Sequence, residues 1–426
     1  MKILKEKGIF AFICSNKFSK AKYGEKLRKL ILENQLKIYN DFTGVKVFKE
    51  ASVDTCVIQI KKDYNEDNEI YVNNNYLMKQ NRLKRTFFSF NSPEILDLRE
   101  KILNQGSLIK NLDIIINSGI KTGSNNAFII DEYTKNKLVE LDSKNKEIIK
   151  PILRGRDIHK WRIINENLYL IYVPWNFNIN KYPSIKAHLT HYKSDLEKRP
   201  EVKKNRYDWY CLSRYASDYV DLFEEEKIIY SEISNEPSFT LDLEKHYLGN
   251  TAFIMNSDSI NLKYLLGLLN SNVLFWIFQK ICYNLGNKGF RFIKNFVEQL
   301  PIVIDNKNQN KVIQVVDTIF RLNNEIEICE SYLFDILKNE YGITDFSKKI
   351  ENFYLVSSEE FIKEVKKKNK NIDEDFIVTI YEKAKYNILN SRMELESNNA
   401  KLNNIVYQIY GLNEREVSII EKNLNN

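Results

Sequence analysis

Cysteine is scarce in this chain and never clustered. The five residues Cys14, Cys56, Cys211, Cys282 and Cys329 are scattered, with no Cys-x-x-Cys pair. That argues against a disulfide framework or a thiolate metal cage, and suits reduced, mostly buried thiols in a cytosolic protein. Histidine is equally sparse, at four residues. His188 and His191 sit three apart but have no Cys or carboxylate at ligand spacing, so they make a poor metal site and read as surface residues. His159 and His246 have no nucleophile context, and nothing resembles a hydrolytic triad or a nuclease carboxylate cluster. The seven prolines include no Pro-Pro dipeptide. The glycines around Lys121 do not form a Walker loop, because the Gly-Lys-Ser/Thr ending is absent. No apolar stretch reaches transmembrane length and the start lacks signal-peptide architecture, so the expectation is a soluble, cytoplasmic protein with no membrane partner.

What is present is ample material for cores. The chain has 426 residues, 43% hydrophobic and 12% aromatic, so global disorder is excluded and roughly two or three domains are expected. Its net charge of +7, from 64 basic and 57 acidic residues, permits a nucleic-acid partner without demanding one. Gly8 to Cys14 is an almost uninterrupted apolar run, which suits a central strand buried on both faces. One amphipathic helix follows near Ala21–Glu33, then strand-like runs at Leu36–Phe42 and Thr55–Ile60. That is too little to cover a parallel sheet. Either part of the fold was lost, or another polypeptide supplies it.

Four regions follow from the pattern. Residues 1–62 read as the end of an α/β domain and polar 63–106 as a linker. Residues 107–305 read as a mixed α/β block with strand-like Leu168–Val173 and Lys227–Tyr230 and a buried helix at Tyr264–Phe278. Residues 306–426 read as a helical tail. There a heptad places Val312, Ile319, Ile326 and Leu333 at one position and Val315, Leu322, Cys329 and Ile336 at the other. Tyr381, Ile388, Leu395, Leu402 and Ile409 repeat the spacing, although Ser391 and Asn398 occupy the second seam. The spacing predicts two long helices packed antiparallel, joined by a segment around Gly342–Lys370, as a coiled coil or as ordinary core helices.

Several short motifs carry a resemblance when taken in order. They are Gly8-Ile-Phe-Ala-Phe-Ile-Cys-Ser-Asn-Lys-Phe18, Val47-Phe-Lys-Glu-Ala-Ser-Val-Asp-Thr55, Gly119-Ile-Lys-Thr-Gly-Ser-Asn-Asn-Ala-Phe128 and Leu153-Arg-Gly-Arg-Asp-Ile158. Asn287-Lys-Gly-Phe-Arg291 through Leu300-Pro-Ile302, and Val406-Tyr-Gln-Ile-Tyr-Gly-Leu412, complete the set. Together they resemble the adenine-specific DNA methyltransferases of restriction–modification systems, including those fused to nucleases, with a TaqI-like C-terminal specificity domain. The resemblance implies a partial Rossmann-like methyltransferase sheet, a mixed α/β target-recognition domain and a helical C-terminal region. It also implies duplex DNA as partner and S-adenosylmethionine as cofactor of the complete enzyme. This sequence departs from the family in one respect. It has neither the glycine-containing cofactor loop nor the Asn-Pro-Pro-aromatic tetrapeptide that holds the target amine. The chain alone is therefore expected to bind no cofactor and to transfer no methyl group, a catalytic half being carried elsewhere.

Candidate site residues follow from the same motifs. Phe48 stands where the family places an aromatic face against an extruded base; the alternative is a core phenylalanine closing the sheet. Lys121, Thr122, Ser124, Asn125 and Asn126, beside two glycines, suit phosphate or base-edge contact, or a plain turn. Arg154, Arg156, Lys160 and Arg162 surround Trp161 and suit guanine or phosphate contact, or a solvated face. Trp209 and Arg214 belong to an aromatic segment flanked by arginines, which could press on the backbone or pack as a corner. Lys288, Arg291 and Lys294 form a second basic cluster, again phosphate-binding or merely solvated. The combined expectation is sequence-specific duplex recognition that presents adenine to a separate catalytic core. The alternatives are a catalytically dead DNA-binding remnant of a bifunctional restriction enzyme and an assembly subunit built on the coiled coil.

Overall fold

Residues 1–102 form one unit, organised by a five-stranded sheet. Its strands are β1 (Ile9–Ser15), β2 (Gln35–Asp41), β3 (Thr55–Lys61), β4 (Glu69–Val72) and β5 (Tyr76–Lys79), in spatial order β1-β3-β2-β4-β5. Alternation along β3 sends Cys56, Ile58 and Ile60 into the core. The strand runs antiparallel to both neighbours, so β1 and β2 are parallel, and α1 (Glu25–Leu32) crosses between them. The buried Arg28 of α1 donates to the carbonyls of Phe18, Ala21, Arg85 and Thr86, which ties the segments flanking the helix together. The computed structural model describes residues 1–48, 50, 53–282, 285 and 289–424.

Two expectations for this unit need correction. The apolar run at Gly8–Cys14 is a strand, but not a buried central one. β1 pairs only with β3, and Ile9 (56% exposed) and Phe12 (54%) meet solvent because no second strand or covering layer reaches them among the described residues. Residues 63–106 are not a linker either. They supply β4 and β5, whose Ile70, Val72 and Met78 are buried in the same core, and then α2 (Pro93–Gln105). Polar Asp63–Asn68 concealed this, since it is an irregular turn that leads directly into β4.

Residues 103–426 form the second unit. β6 (Ser107–Leu108), β7 (Ile115–Ser118), α3 (Asn125–Phe128), β8 (Ile129–Ile130), α4 (Glu132–Leu141) and β9 (Ile149–Leu153) come first. β10 (Ile158–His159), β11 (Arg162–Ile163) and β12 (Tyr169–Ile171) follow, then short helices α5 (Pro183–Thr190), α6 (Lys193–Glu197) and α7 (Pro200–Lys203). β13 (Lys227–Ser231), β15 (Phe239–Asp242), β16 (Tyr247–Leu248) and β17 (Ala252–Asn256) complete two four-stranded sheets, ordered β16-β9-β12-β8 and β15-β13-β17-β7, while β14 (Ile233–Ser234) pairs separately with Phe290–Arg291. Phe128, Leu153, Leu170, Leu212, Ile229 and Ile254 belong to one buried core shared by the two sheets.

The apolar segment after β17 is two helices, not one. α8 (Leu262–Leu269) and α9 (Asn272–Ile281) break at Asn270 and Ser271. The Ser271 hydroxyl accepts from the Leu274 amide and caps α9, while the Asn270 side chain bonds both backbone groups of Phe239. β18 (Phe290–Arg291), α10 (Lys294–Val297) and β19 (Pro301–Ile302) lead into α11 (Gln309–Asn339). Beyond it lie α12 (Lys348–Glu351), α13 (Ser358–Lys368), α14 (Glu374–Ile409) and α15 (Glu414–Leu424).

α11 and α14 pack antiparallel: the Ser391 hydroxyl reaches Glu325, and Arg321 pairs with Glu394 one turn away. Val312, Ile319, Leu322, Ile326, Tyr381, Ile388 and Leu402 are buried, as the heptad spacing predicts. The tip is a small core of its own, in which Phe353 and Phe361 pack against Tyr381. Two of the short motifs meet at the opposite end, where the Tyr410 hydroxyl donates to the Pro301 carbonyl at 2.6 Å. Among the described residues no helix is long and apolar enough to cross a membrane.

Candidate nucleic-acid interface

Three backbone loops converge because glycines let them touch. At Gly119 a Cβ would lie 2.2 Å from the Gly249 carbonyl oxygen, and at Gly155 it would lie 2.3 Å from that of Thr251. Neither position has room for a side chain. The Ile120 amide therefore reaches the Leu248 carbonyl, and the Gly155 amide donates to the Thr251 hydroxyl at 2.9 Å. Next along the chain, Lys121 and Arg214 exchange both backbone hydrogen bonds, which brings two separate basic motifs side by side with both side chains exposed.

Buried Arg199 fixes this junction. It donates to the Thr122, Leu196 and Trp209 carbonyls and lies against the rings of Phe128 and Tyr207. Burial pulls its pKa below the usual guanidinium value. Within the loop Thr122 is buried, its hydroxyl donating to Asn125 at 2.7 Å, while Asn125 and Asn126 are exposed and Ser124 is half-buried. Trp209 is half-buried, edge-on to Tyr210 and capped by Lys193. Nothing in the sequence pattern pointed to Arg199, which holds the loop without being exposed itself.

The four basic residues of the Arg154–Arg162 cluster go four different ways. Arg154 grips Asp157 through two nitrogens and pairs with Glu166 at 2.6 Å. Its bond to Asp157, opposed by burial and aided by Glu166, holds the guanidinium still more firmly charged. Arg156 is exposed and has no ion pair among the described residues. It lines a groove of about 480 Å³ together with Asn125, Ile129, Glu232, Asn250 and Thr251. Lys160 is half-buried, and burial lowers its pKa. Arg162 lines a different cleft, beside Asn323 and Glu327 of α11. Between these two, Trp161 is buried at φ +68°, donating to Asn399 of α14 and standing edge-on to Phe320.

Of the second basic cluster, Lys288 lies outside the described residues. Arg291 is paired with Glu232, and Lys294 is exposed at the start of α10. In the other unit Phe48 is 45% exposed, so it is not a core phenylalanine closing the sheet. His188 is half-buried and bonded to the Ala127 carbonyl, unlike the surface residue expected. Among the described residues no cluster of His, Cys, Asp and Glu could hold a metal ion. Cysteine pattern and structure agree in burial: Cys56, Cys211 and Cys282 are all buried.

Residues 150–302, which supply much of this groove, match the family model of the TaqI-like C-terminal specificity domain. This region is therefore similar to a TaqI-like specificity domain. Residues 1–48 match the model of the Eco57I restriction-modification methylase, and residues 305–406 match a domain of unknown function. The chain is similar to the type II methyltransferase M.BstVI of Geobacillus stearothermophilus, at 22% identity over 315 residues, covering 64% of this chain and 54% of that protein. It is also similar to the type II methyltransferase M.BanIII of Aneurinibacillus aneurinilyticus, at 26% identity over 221 residues, covering 48% and 37%. It thus spans about half or less of the length of these relatives.

Among solved structures, the Type IIL restriction-modification enzyme MmeI in complex with DNA matches with a TM-score of 0.50 and 12% identity. That match covers 98% of this chain and 49% of that one, and the likeness is one of fold. The resemblance to restriction–modification methyltransferases is borne out, as is the mixed α/β architecture with a helical C-terminal region. The groove lies largely within the matched residues 150–302, with Asn125 and Ile129 contributed from before them.

Proposed function

We propose that this chain is the DNA-specificity portion of an adenine-specific methyltransferase of a restriction–modification system. In this reading the groove straddles duplex DNA. Arg156 reads a base edge or grips a phosphate, and Lys121, Arg214 and Lys294 neutralise backbone charge. The observation that carries the reading is the convergence of the 119–126, 154–156 and 249–251 loops on a groove whose exposed Arg156 has no ion pair among the described residues. A structural arginine is normally occupied, as Arg154 is; an unoccupied one beside exposed asparagines suits an anionic, hydrogen-bonding ligand.

The methyl donor would be held by another part of the enzyme, encoded upstream in the same frame or as a separate chain. The turn after β1, Asn16–Ser19, contains no glycine. Asp41 at the end of β2 is already engaged by Asn16, Tyr39 and Thr43, so the described residues of this unit do not fit S-adenosylmethionine. Calorimetry on the 426-residue chain is expected to register no binding of that cofactor. Stoichiometric micromolar binding would show that the cofactor site has been misplaced.

Duplex DNA should bind with a salt dependence of about −0.9 in log–log slope per phosphate neutralised. Arg156→Ala should weaken binding by about 1–3 kcal/mol and relax preference at one base pair if the side chain reads a base. If it contacts phosphate, affinity should fall uniformly across sequences. A variant that binds as tightly and as selectively as the parent removes Arg156 from the interface.

A further inference from the structure

Glu232 is an acid in a groove also lined by Arg156 and by the exposed Asn125 and Asn250, with Arg291 paired to it, and phosphate attraction does not explain it. A carboxylate facing the DNA backbone is repulsive. It becomes useful where it accepts a hydrogen bond from an amino group on a base edge, and in the major groove cytosine N4 is the donor that glutamate pairs with. Glu232 is also held in place. Its amide donates to the Thr251 carbonyl, and its own carbonyl accepts from the Phe292 amide at 2.7 Å. Arg291 then grips its side chain, with Nε at 2.8 Å and Nη2 at 2.7 Å, both on Oε1. Among the described residues no hydrogen bond reaches Oε2. The Glu232 side chain is 19% exposed and Arg291 52%, so the acceptor is sheltered while its partner reaches further into solvent.

We infer that Glu232 and Arg291 act as one specificity-determining couple that reads a single C·G pair. The inference rests on the DNA-recognition reading above. Oε2 accepts from cytosine N4, and the guanidinium, anchored through Oε1, donates to the guanine across the pair. An acceptor beside a donor complements the amino group of cytosine and the adjacent O6 and N7 of guanine. Arg291 serves two ends. It partly neutralises the carboxylate, which lowers the repulsion of nearby phosphates, and it removes the rotamer freedom that a lone glutamate would lose on binding.

The test is binding of the full chain, parent and variants, to duplex pools randomised one position at a time around the preferred sequence. The parent should prefer C·G at one position. Glu232→Gln should reduce that preference roughly 5- to 150-fold, with other positions unchanged and affinity for non-specific duplex equal or higher. Arg291→Gln should relax the same position. Thermal melting checks that both variants are folded, and Glu232→Asp, which keeps the charge, should retain part of the preference. A uniform loss of affinity in Glu232→Gln overturns the inference in favour of a structural brace, as does an unchanged profile. Relaxation of different positions by the two variants overturns the coupling. If the parent binds no duplex at all, the DNA reading itself fails, and this inference with it.

Discussion

Co-expression of the chain with a catalytic half bearing a glycine-containing cofactor loop and an Asn-Pro-Pro-aromatic tetrapeptide is expected to yield methylated adenine at one short motif in host DNA. Either part alone should yield none. The physical ground is the state of β1. It has one strand partner, an unpaired edge among the described residues, and Ile9, Phe10, Phe12 and Ile13 all in contact with solvent. Edges and apolar faces of this kind attract further strands, either those that complete the sheet or those of an aggregate. Solubility should therefore rise with the partner present. In the assembled pair, Phe48→Ala should slow methylation more than it weakens DNA binding. Stacking on a base acts after the base has left the duplex, an excursion costing a few kcal/mol. Equal effects on both would remove Phe48 from the base pocket. If the pair never associates, or associates without methylating DNA, the chain is better described as a DNA-binding remnant.

Lys227→Met should destabilise the second unit by about 3–5 kcal/mol. Lys227 and Asp242 stand directly opposite on β13 and β15, both 0% exposed, with Nζ 2.8 Å from Oδ2. The remaining Lys227 donors go to the Phe223 and Glu225 carbonyls, while Asp242 also accepts from the His246 amide and contacts its Nδ1. Burial lowers the Lys227 pKa, only partly offset by Asp242. For Asp242, burial pushes upward, but His246 and Lys227 together outweigh it and hold the carboxyl below its ordinary value. A depressed carboxyl adds stability that is present above the usual aspartate range and is lost as pH falls through the depressed value. Urea unfolding at neutral and acid pH measures both effects. The double variant Lys227→Met, Asp242→Leu should recover much of the loss, because it leaves no uncompensated buried charge. A single-variant loss below about 1 kcal/mol would mean that water reaches the pair. The consequence extends to the groove, since β13 runs from Lys227 directly to Ser231 and Glu232.

Some of this protein could be read from local pattern. The heptads of α11 and α14 announced two long helices, since a repeat of apolar residues on one helical face depends only on sequence spacing. The alternation in β3 and the runs around β2 and β13 were legible for the same reason. The family resemblance came from motifs in order, and residues 150–302 match the model of that domain. Local pattern misled where chemistry depends on neighbours. An apolar run reads as buried, yet β1 is exposed, because burial belongs to the surrounding layers and not to the strand. A polar stretch reads as a linker, yet it is only the turn before β4, whose Ile70 and Val72 are buried in the same core.

The sequence by itself determined the long helices of the tail, several of the strands, the motifs that carry the family resemblance, and the absence of a Pro-Pro dipeptide from this chain. Which charges are available was decided only by the tertiary structure. Arg154, Arg156, Lys160 and Arg162 look alike in the sequence. Folding ties the first to Asp157 and Glu166, leaves the second exposed in the groove, half-buries the third and turns the fourth toward α11. Glu232 and Arg199 carried no signal at all, because their partners lie 59 and 77 residues away, in Arg291 and Thr122. Free energy in such contacts depends on distance and desolvation in three dimensions, and spacing along the chain encodes neither.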